Sequence, residues 1–520
     1  MAWQRLLQSP RQISSGRYIH QLSRYYCSSY QQIPLSQPLP NIATPKYAPT
    51  IENSTQNPQL TQLSNGIKVI TAPCYGQVGY IGAIVDAGSR YELAFPKGIS
   101  HLMGKICFQG SRKFENKEDF IDKLDSYGVN VQCEMNRDCA IYSISGFRHG
   151  IPDMFAALAD SILFPDLSQR NVENQKAALN AELEHIKMMA DAEIILTELI
   201  HGAAYGEKSV GFSKFADMET FPEIDTSSLQ RYHELLYTPK RLVIGGVGVN
   251  HQELVELAEK YFVSDVPSWF KSSTSTSLVE DETEYIGSNV IMDLPKAPAG
   301  PTMTAAMVSE LSHAAFALEG VSYMDPDFFS LAVLSLLMGG GGSFSAGGPG
   351  KGMYSRIYRS VLCNYYWMFS CLCLQHCYVD SGLFVINASA PPEQMGQLAE
   401  VVMTTICNMK NGFHKDEVSR AKRQLQSVLL MNLESKQIML EDLCRQTLSL
   451  PAYTSVQELC DNIEQVTEES LIRVVDRILS SKLSVAAYGN LKHFPSHEQM
   501  QEAMTNNGRI KSQSRFSFYS

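Results

Sequence analysis

The apolar positions of this chain fall into two stretches of similar length that repeat the same succession of periods. In the first, from 60 to 262, residues 78–85 read as a strand, and Ile99, Leu102, Met103 and Ile106 then mark one apolar face of a helix. A long amphipathic helix follows over 171–189, and 241–248 reads as a strand that ends on glycine. The second stretch, from 302 to about 495, carries its own long helix over 416–433 and closes on a glycine-ended strand at 482–489. Two copies of one α+β domain are the economical reading of that recurrence.

Between the copies the pattern lapses. Residues 264–301 hold a serine and threonine run at 272–277, the acids Glu280, Asp281 and Glu282, and Pro295, Pro298 and Pro301, which is the composition of a linker. The expected division is a leading segment 1–57, a first domain 58–263, a linker 264–301 and a second domain 302–520.

One segment of the second domain stands apart. Residues 339–352 read GGGGSFSAGGPGKG, eight glycines in fourteen positions, directly after the apolar run 328–338. Glycine loses more backbone freedom on folding than any other residue, so this density implies mobility or close backbone approach. A phosphate-cradling loop would need glycine five positions before Gly350 and Ser or Thr after Lys351, where Ser345 and Gly352 stand instead. The segment is expected to lie against an extended ligand or move aside for it. Its candidate binding residues are Gly339, Gly340, Gly341, Gly342, Ser343, Phe344, Gly347, Gly348, Gly350, Lys351 and Gly352.

Composition narrows the class. With 520 residues and 44% hydrophobic content the chain can bury several cores. A formal charge of −11 argues against nucleic acid as a partner and suits a basic ligand. No apolar run reaches the length of about 18 residues that a membrane helix needs. The first acid is Glu52, whereas Arg5, Arg11, Arg17, Arg24 and Lys46 precede it, and Trp3, Leu6 and Leu7 sit at helical spacing; this is the make-up of a mitochondrial targeting segment. Cleavage after Tyr26 would remove four of the 43 basic side chains and deepen the charge to about −15. The twelve cysteines are scattered, as buried thiols of a reducing compartment are. Cys371, Cys373 and Cys377 gather near His376, but Cys371 and Cys373 alternate with Leu372 and Leu374, so one apolar face of a strand accounts for them.

The chemistry of the first domain is almost complete. The apolar face of the helix at 99–106 leaves His101 and Lys105 together on another face. An inverted zinc-peptidase motif, H-x-x-E-H, needs two histidines at that spacing, with a glutamate before the second to activate water. Here Gly104 replaces the glutamate and Lys105 the second histidine. Glu182 lies 77 positions after Lys105 on the long helix. A catalytic zinc needs three protein ligands and an open position, and only two candidates remain. The ammonium of Lys105 would oppose a divalent ion, so it is expected to fill the vacated space and pair with Glu182.

On His101 and Glu182 at this spacing, the sequence resembles the pitrilysin-like M16 peptidase family, in which a glutamate ligand follows the motif at that distance. The glycine segment, with 431–435 and 441–446, resembles the family's non-catalytic members. The resemblance implies two homologous pitrilysin-like domains, each a mainly antiparallel sheet with helices packed on it, facing each other across a cavity. It implies no metal or cofactor in this chain, with His101, Gly104, Lys105 and Glu182 as degenerate motif positions. It also implies a heterodimer in the mitochondrial matrix, whose catalytic β subunit carries the zinc and removes the arginine-containing presequences of imported proteins while this chain holds them. The same fold allows an alternative, a structural core protein of respiratory complex III at the inner membrane. For arginine-bearing substrates, the acids nearest the glycine segment in sequence, Asp325, Asp327 and Asp380, are candidate acceptors.

Overall fold

A computed structural model describes residues 57–189, 192–216, 220–271, 283–293, 311–343 and 353–510. The leading segment and its targeting signal lie outside the described residues.

The first half is built on a six-stranded sheet: β1 (Gln59–Gln62), β2 (Lys68–Ala72), β3 (Val78–Val85), β4 (Asn130–Met135), β5 (Ala140–Phe147) and β6 (Leu242–Val247), in the order β1-β2-β6-β3-β5-β4. Only β2 and β6 run parallel. Three of its helices matter for the site: α1 (Ile99–Ile106), α2 (Gln169–Met189) and α3 (Ala192–Tyr205). The second half repeats the plan with β7 (Asn289–Asp293), β8 (Ser312–Glu319), β9 (Gly340–Gly342), β10 (Ser370–Cys377), β11 (Gly382–Ala390) and β12 (Ser484–Gly489), in the order β7-β12-β8-β11-β10-β9. Again a single pair, β7 and β12, is parallel. Its relevant helices are α4 (Phe328–Met338), α5 (Met395–Cys407), α6 (Lys415–Leu433) and α7 (Lys436–Ser449).

The two orders superpose over five strands. β2-β6-β3-β5-β4 answers to β7-β12-β8-β11-β10, leaving β1 as an addition to the first sheet and β9 as one to the second. The expected α+β duplication is thus present. The linker expectation changes, however: Asn289–Asp293, inside 264–301, is the edge strand β7, registered from Asn289 on Val485 to Asp293 on Gly489. Composition missed it because an exposed edge strand need not be apolar, and Asn289, Ile291, Met292 and Asp293 are exposed.

Each half lends a helix to the other. In β3, Ile81, Ala83 and Val85 face the first half's own core, while Ile84 on the opposite face meets Leu440, Leu443 and Cys444 of α7. Reciprocally, Ala315 and Ala317 of β8 and Ala486 of β12 receive Leu196, Ile200 and Ala203 of α3. The central strands are therefore covered on both faces, which is why β5 and β8 are buried along nearly their whole length instead of alternating. Small residues make the grooves. A Cβ added at Gly245 would lie 2.2 Å from the Cys444 Sγ, and one at Gly82 would lie 3.0 Å from the Leu440 Cδ2. On β10, Cys371 and Cys373 are buried on the core face, as a strand reading of that cluster expects.

Candidate functional site

α1 carries the degenerate motif, and Glu92 holds its start. This fully buried carboxylate accepts from the Gly98 N–H at 2.7 Å, the Ser100 N–H at 2.9 Å and the Ser100 hydroxyl at 2.5 Å. Burial nevertheless pushes its pKa up to about 7.

Ile99, Leu102, Met103 and Ile106 anchor the apolar face of α1 in the core, which turns His101 and Lys105 toward α2. The Lys105 Nζ lies 2.6 Å from the Glu182 Oε2, the pairing expected from sequence. Both side chains are about one-third exposed, so the contact is worth at most about 1 kcal/mol. His101 is buried; its Nδ1 accepts from the Ala216 N–H at 3.2 Å, and its ring meets Phe215 edge-on with centroids 5.5 Å apart. Burial holds the imidazole neutral, with a pKa lowered to about 4, and the nearby Glu182 only partly offsets this.

Gly104 shows why no base could stand in this backbone as it is. A Cβ there would lie 2.4 Å from the Met135 Cγ, so the methionine at the end of β4 fills the path a glutamate would take. The donor set does not fit a catalytic zinc: one histidine already in a hydrogen bond, one glutamate held by an ammonium, and methionine where the water-activating carboxylate belongs. What remains is a cavity of about 180 Å³ bounded by His101, Lys105, Glu134, Lys214 and Phe215.

That space adjoins a larger one between the halves. A cavity of about 390 Å³ shares Glu134 and Lys214 with it and is closed from the second half by Gln375, His376, Tyr378, Glu441 and Arg445. Ion pairs frame it: the Arg137 Nη2 to the Glu198 Oε2 at 2.7 Å, and the Arg445 Nη1 to the Asp138 Oδ1 at 3.6 Å. The second of these crosses between halves. Sequence reasoning missed this cavity because its residues come from β4, α3, β10 and α7, more than 300 positions apart; only 441–446 carried a signal, as part of the family resemblance.

The glycine segment divides in two. Gly339, Gly340, Gly341 and Gly342 belong to a strand and its approach, with Gly340 opposite Leu372, Gly341 opposite Cys371 and Gly342 opposite Ser370. Gly340 takes φ 101°, and a Cβ there would lie 2.1 Å from the Cys371 carbonyl oxygen, so no other residue fits. The Ser343 N–H donates to the Phe369 carbonyl, the Gly340 N–H to the Ser355 Oγ, and the Tyr358 hydroxyl to the Gly342 carbonyl. These first glycines meet a close approach rather than supplying mobility. Phe344, Gly347, Gly348, Gly350, Lys351 and Gly352 lie outside the described residues. After the segment, Tyr354 lines two cavities of about 820 and 320 Å³.

The three candidate acids are spoken for. The Asp325 Oδ2 is 2.8 Å from the Arg477 Nη1, the Asp327 Oδ1 is 2.5 Å from the Arg473 Nη2, and the Asp380 Oδ2 is 2.6 Å from the Arg90 Nη2. Asp380 also accepts from the Thr283 hydroxyl at 2.7 Å. Burial alone would raise its pKa, but Arg90 and Thr283 outweigh that and hold the carboxyl below its ordinary value. Nearness to the glycine segment in sequence does not reveal that arginines from 152, 146 and 290 positions away reach these acids.

Comparison with known proteins agrees with this geometry. Residues 68–217 match the model of the insulinase (M16) peptidase domain, and residues 223–425 match that of the M16 inactive domain. The chain is 37% identical over 485 residues to the human mitochondrial-processing peptidase subunit alpha, covering 93% of this chain and 91% of that one. It is 34% identical to the protein of the same name from Caenorhabditis elegans (91% and 93% covered) and 29% identical to that from Solanum tuberosum (90% and 86%). The chain therefore belongs to the M16 peptidase family, in the branch whose members are named mitochondrial-processing peptidase subunit alpha.

Proposed function

We propose that this chain is the substrate-recognition subunit of a mitochondrial processing peptidase, which binds the arginine-containing presequences of imported proteins and presents them to zinc on a catalytic β subunit. The observation that carries the reading is the closed relic site of a peptidase fold: Lys105 on Glu182, and Met135 across the path from Gly104. A fold that keeps its duplicated architecture but has lost its water-activating base serves by binding. The negative charge of the chain supports a basic ligand. A matrix location and a heterodimeric assembly follow from the same reading, and the glycine segment 339–352 would admit the extended substrate, its backbone free of side chains.

The deciding experiment mixes the purified chain with a zinc-bearing β subunit and follows cleavage of a presequence peptide. Cleavage should require both chains, and deletion of 344–352 should lower it severalfold. Equal cleavage by the β subunit alone would overturn the proposal.

A further inference from the structure

We propose that Cys107 and Cys133 form a peroxide-sensitive dithiol beside the relic site: a hydroperoxide oxidises the pair to a disulfide that ties α1 to β4, and a thiol reductant opens it again. This goes beyond the substrate-recognition reading and does not depend on it.

The pair follows from how α1 lies on β4. Val131, Cys133 and Met135 share the inner face of β4 and pack against the core of the first half, while Asn130, Gln132 and Glu134 are exposed on the other face. Gly104 of α1 sits against Met135. Three residues further along the helix Cys107 meets Cys133, two residues back along the strand, and the two thiols are hydrogen-bonded to each other. Three helix residues advance about 4.5 Å and two strand residues about 6.6 Å, so the second contact falls one rung from the first. Both cysteines are free, and a disulfide needs its two sulfurs to start from contact of this kind.

The two thiols are unequal, which gives the reaction its order. Cys133 lines the cavity of about 180 Å³ with His101, Lys105 and Lys214, so a small oxidant reaches it there. Cys107 is buried, and burial followed by the neighbouring thiol push its pKa well above the ordinary value. It does not react first but stands behind Cys133 as the resolving thiol. By contrast, Cys371 and Cys373 are both sealed in the core of the second half, with no accessible member to begin.

The chemistry balances in two steps. Cys133 loses its proton to solvent and its sulfur attacks one peroxide oxygen; the O–O bond breaks, hydroxide leaves and takes up a proton, and Cys133 becomes a sulfenic acid. The Cys107 sulfur then attacks the Cys133 sulfur, the S–O bond breaks, and water departs with the Cys107 proton. Two thiols are oxidised to one disulfide while hydrogen peroxide is reduced to two waters. The product closes the loop 107–133 and fixes β4, the last strand in the order of its sheet, to the helix that carries the degenerate motif.

The test treats the full chain with hydrogen peroxide, blocks the remaining thiols and maps tryptic peptides by mass spectrometry. Cleavage at Lys105, Arg112, Lys123 and Arg137 leaves Cys107 in 106–112 and Cys133 in 124–137, one cysteine in each. These two peptides should appear joined, lighter than their sum by two hydrogens, and should separate with dithiothreitol. The oxidised chain should melt several degrees higher than the reduced chain, because the cross-link restricts the unfolded state. Cys107→Ser should leave a sulfenic acid at Cys133 that dimedone traps at least tenfold more than in the wild type, since nothing resolves it. Cys133→Ser, at a half-buried position, should keep Cys107 reduced and decides the matter even if Cys107→Ser does not fold. The proposal fails if 106–112 and 124–137 both remain fully alkylated while the exposed Cys363 is oxidised. It fails equally if Cys133 is oxidised in the wild type while Cys107 stays free.

Discussion

Gly104 and Lys105 are two substitutions with different physical consequences. Lys105 removes a ligand and supplies a charge, but its pair with Glu182 is one-third exposed and adds little stability. Gly104 removes a base, and Met135 has taken the space. Restoring the motif letters alone should therefore fail: Gly104→Glu with Lys105→His should bind zinc poorly, and adding Met135→Ala should improve affinity at least tenfold by titration calorimetry. Equal affinity of the two variants would show that Met135 does not matter. The spacing of His101 and Glu182 was legible in the sequence because both lie at set positions on helices; Met135 was not, since nothing in a linear pattern says which side chain fills a deleted one.

His376 supplies a pH signature at the same scale. Its pKa is lowered to about 4 by burial and then by Arg137 and Lys214, against about 6.5 unfolded. The unfolded chain takes up this proton first as pH falls, so stability is whole above about pH 6.5 and is lost progressively toward pH 4, by up to about 3 kcal/mol. Urea unfolding of His376→Gln across that range should show a shallower acid limb than the wild type.

At the scale of elements, the exchanged helices carry the fold. α7 lies on Gly82 and Gly245 of the first sheet, and α3 on the alanines of the second. Gly245→Val would drive a side chain into Cys444 and should cost about 1–3 kcal/mol in a thermal or denaturant melt. Cys444→Ala in the same chain should recover part of it. The element types were well predicted: the long helices expected at 171–189 and 416–433 appear as Gln169–Met189 and Lys415–Leu433, and the closing strands as Leu242–Val247 and Ser484–Gly489. Periodicity sees the faces of an element, and these elements have strong ones. It could not see that α3 and α7 cross over, because the small residues that receive them look like ordinary strand residues until their neighbours are known. The glycines of β9 show the same limit: the sequence marked them as special without distinguishing close approach from mobility.

For the whole molecule, the exchange means that neither half is complete alone. A fragment ending at residue 271 would lack α7 and leave Ile70, Ile84 and Val243 open to water. It should therefore aggregate or form an expanded state by gel filtration, and co-expression with 283–510 should recover a soluble, folded pair. The tie between Arg90 and Asp380 adds to this union at the rim, but with Asp380 about one-third exposed, Asp380→Ala should cost only about 1 kcal/mol in a denaturant melt. Long-range attraction of basic peptides should weaken as salt rises, since exposed charges are screened beyond about 8 Å at physiological ionic strength.

By itself the sequence determined the duplication, the main helices and strands, and the loss of the catalytic motif. These depend on local periodicity and on which side-chain chemistry is present, both of which are written along the chain. The tertiary structure alone decided that the composition-poor linker supplies an edge strand, that Asp325, Asp327 and Asp380 were already bound to arginines, and that Glu134 and Glu441 share a cavity. The physical reason is common to all three. Whether a backbone edge is paired, or a charge matched, depends on groups brought together from hundreds of positions away, and only the folded chain sets that distance.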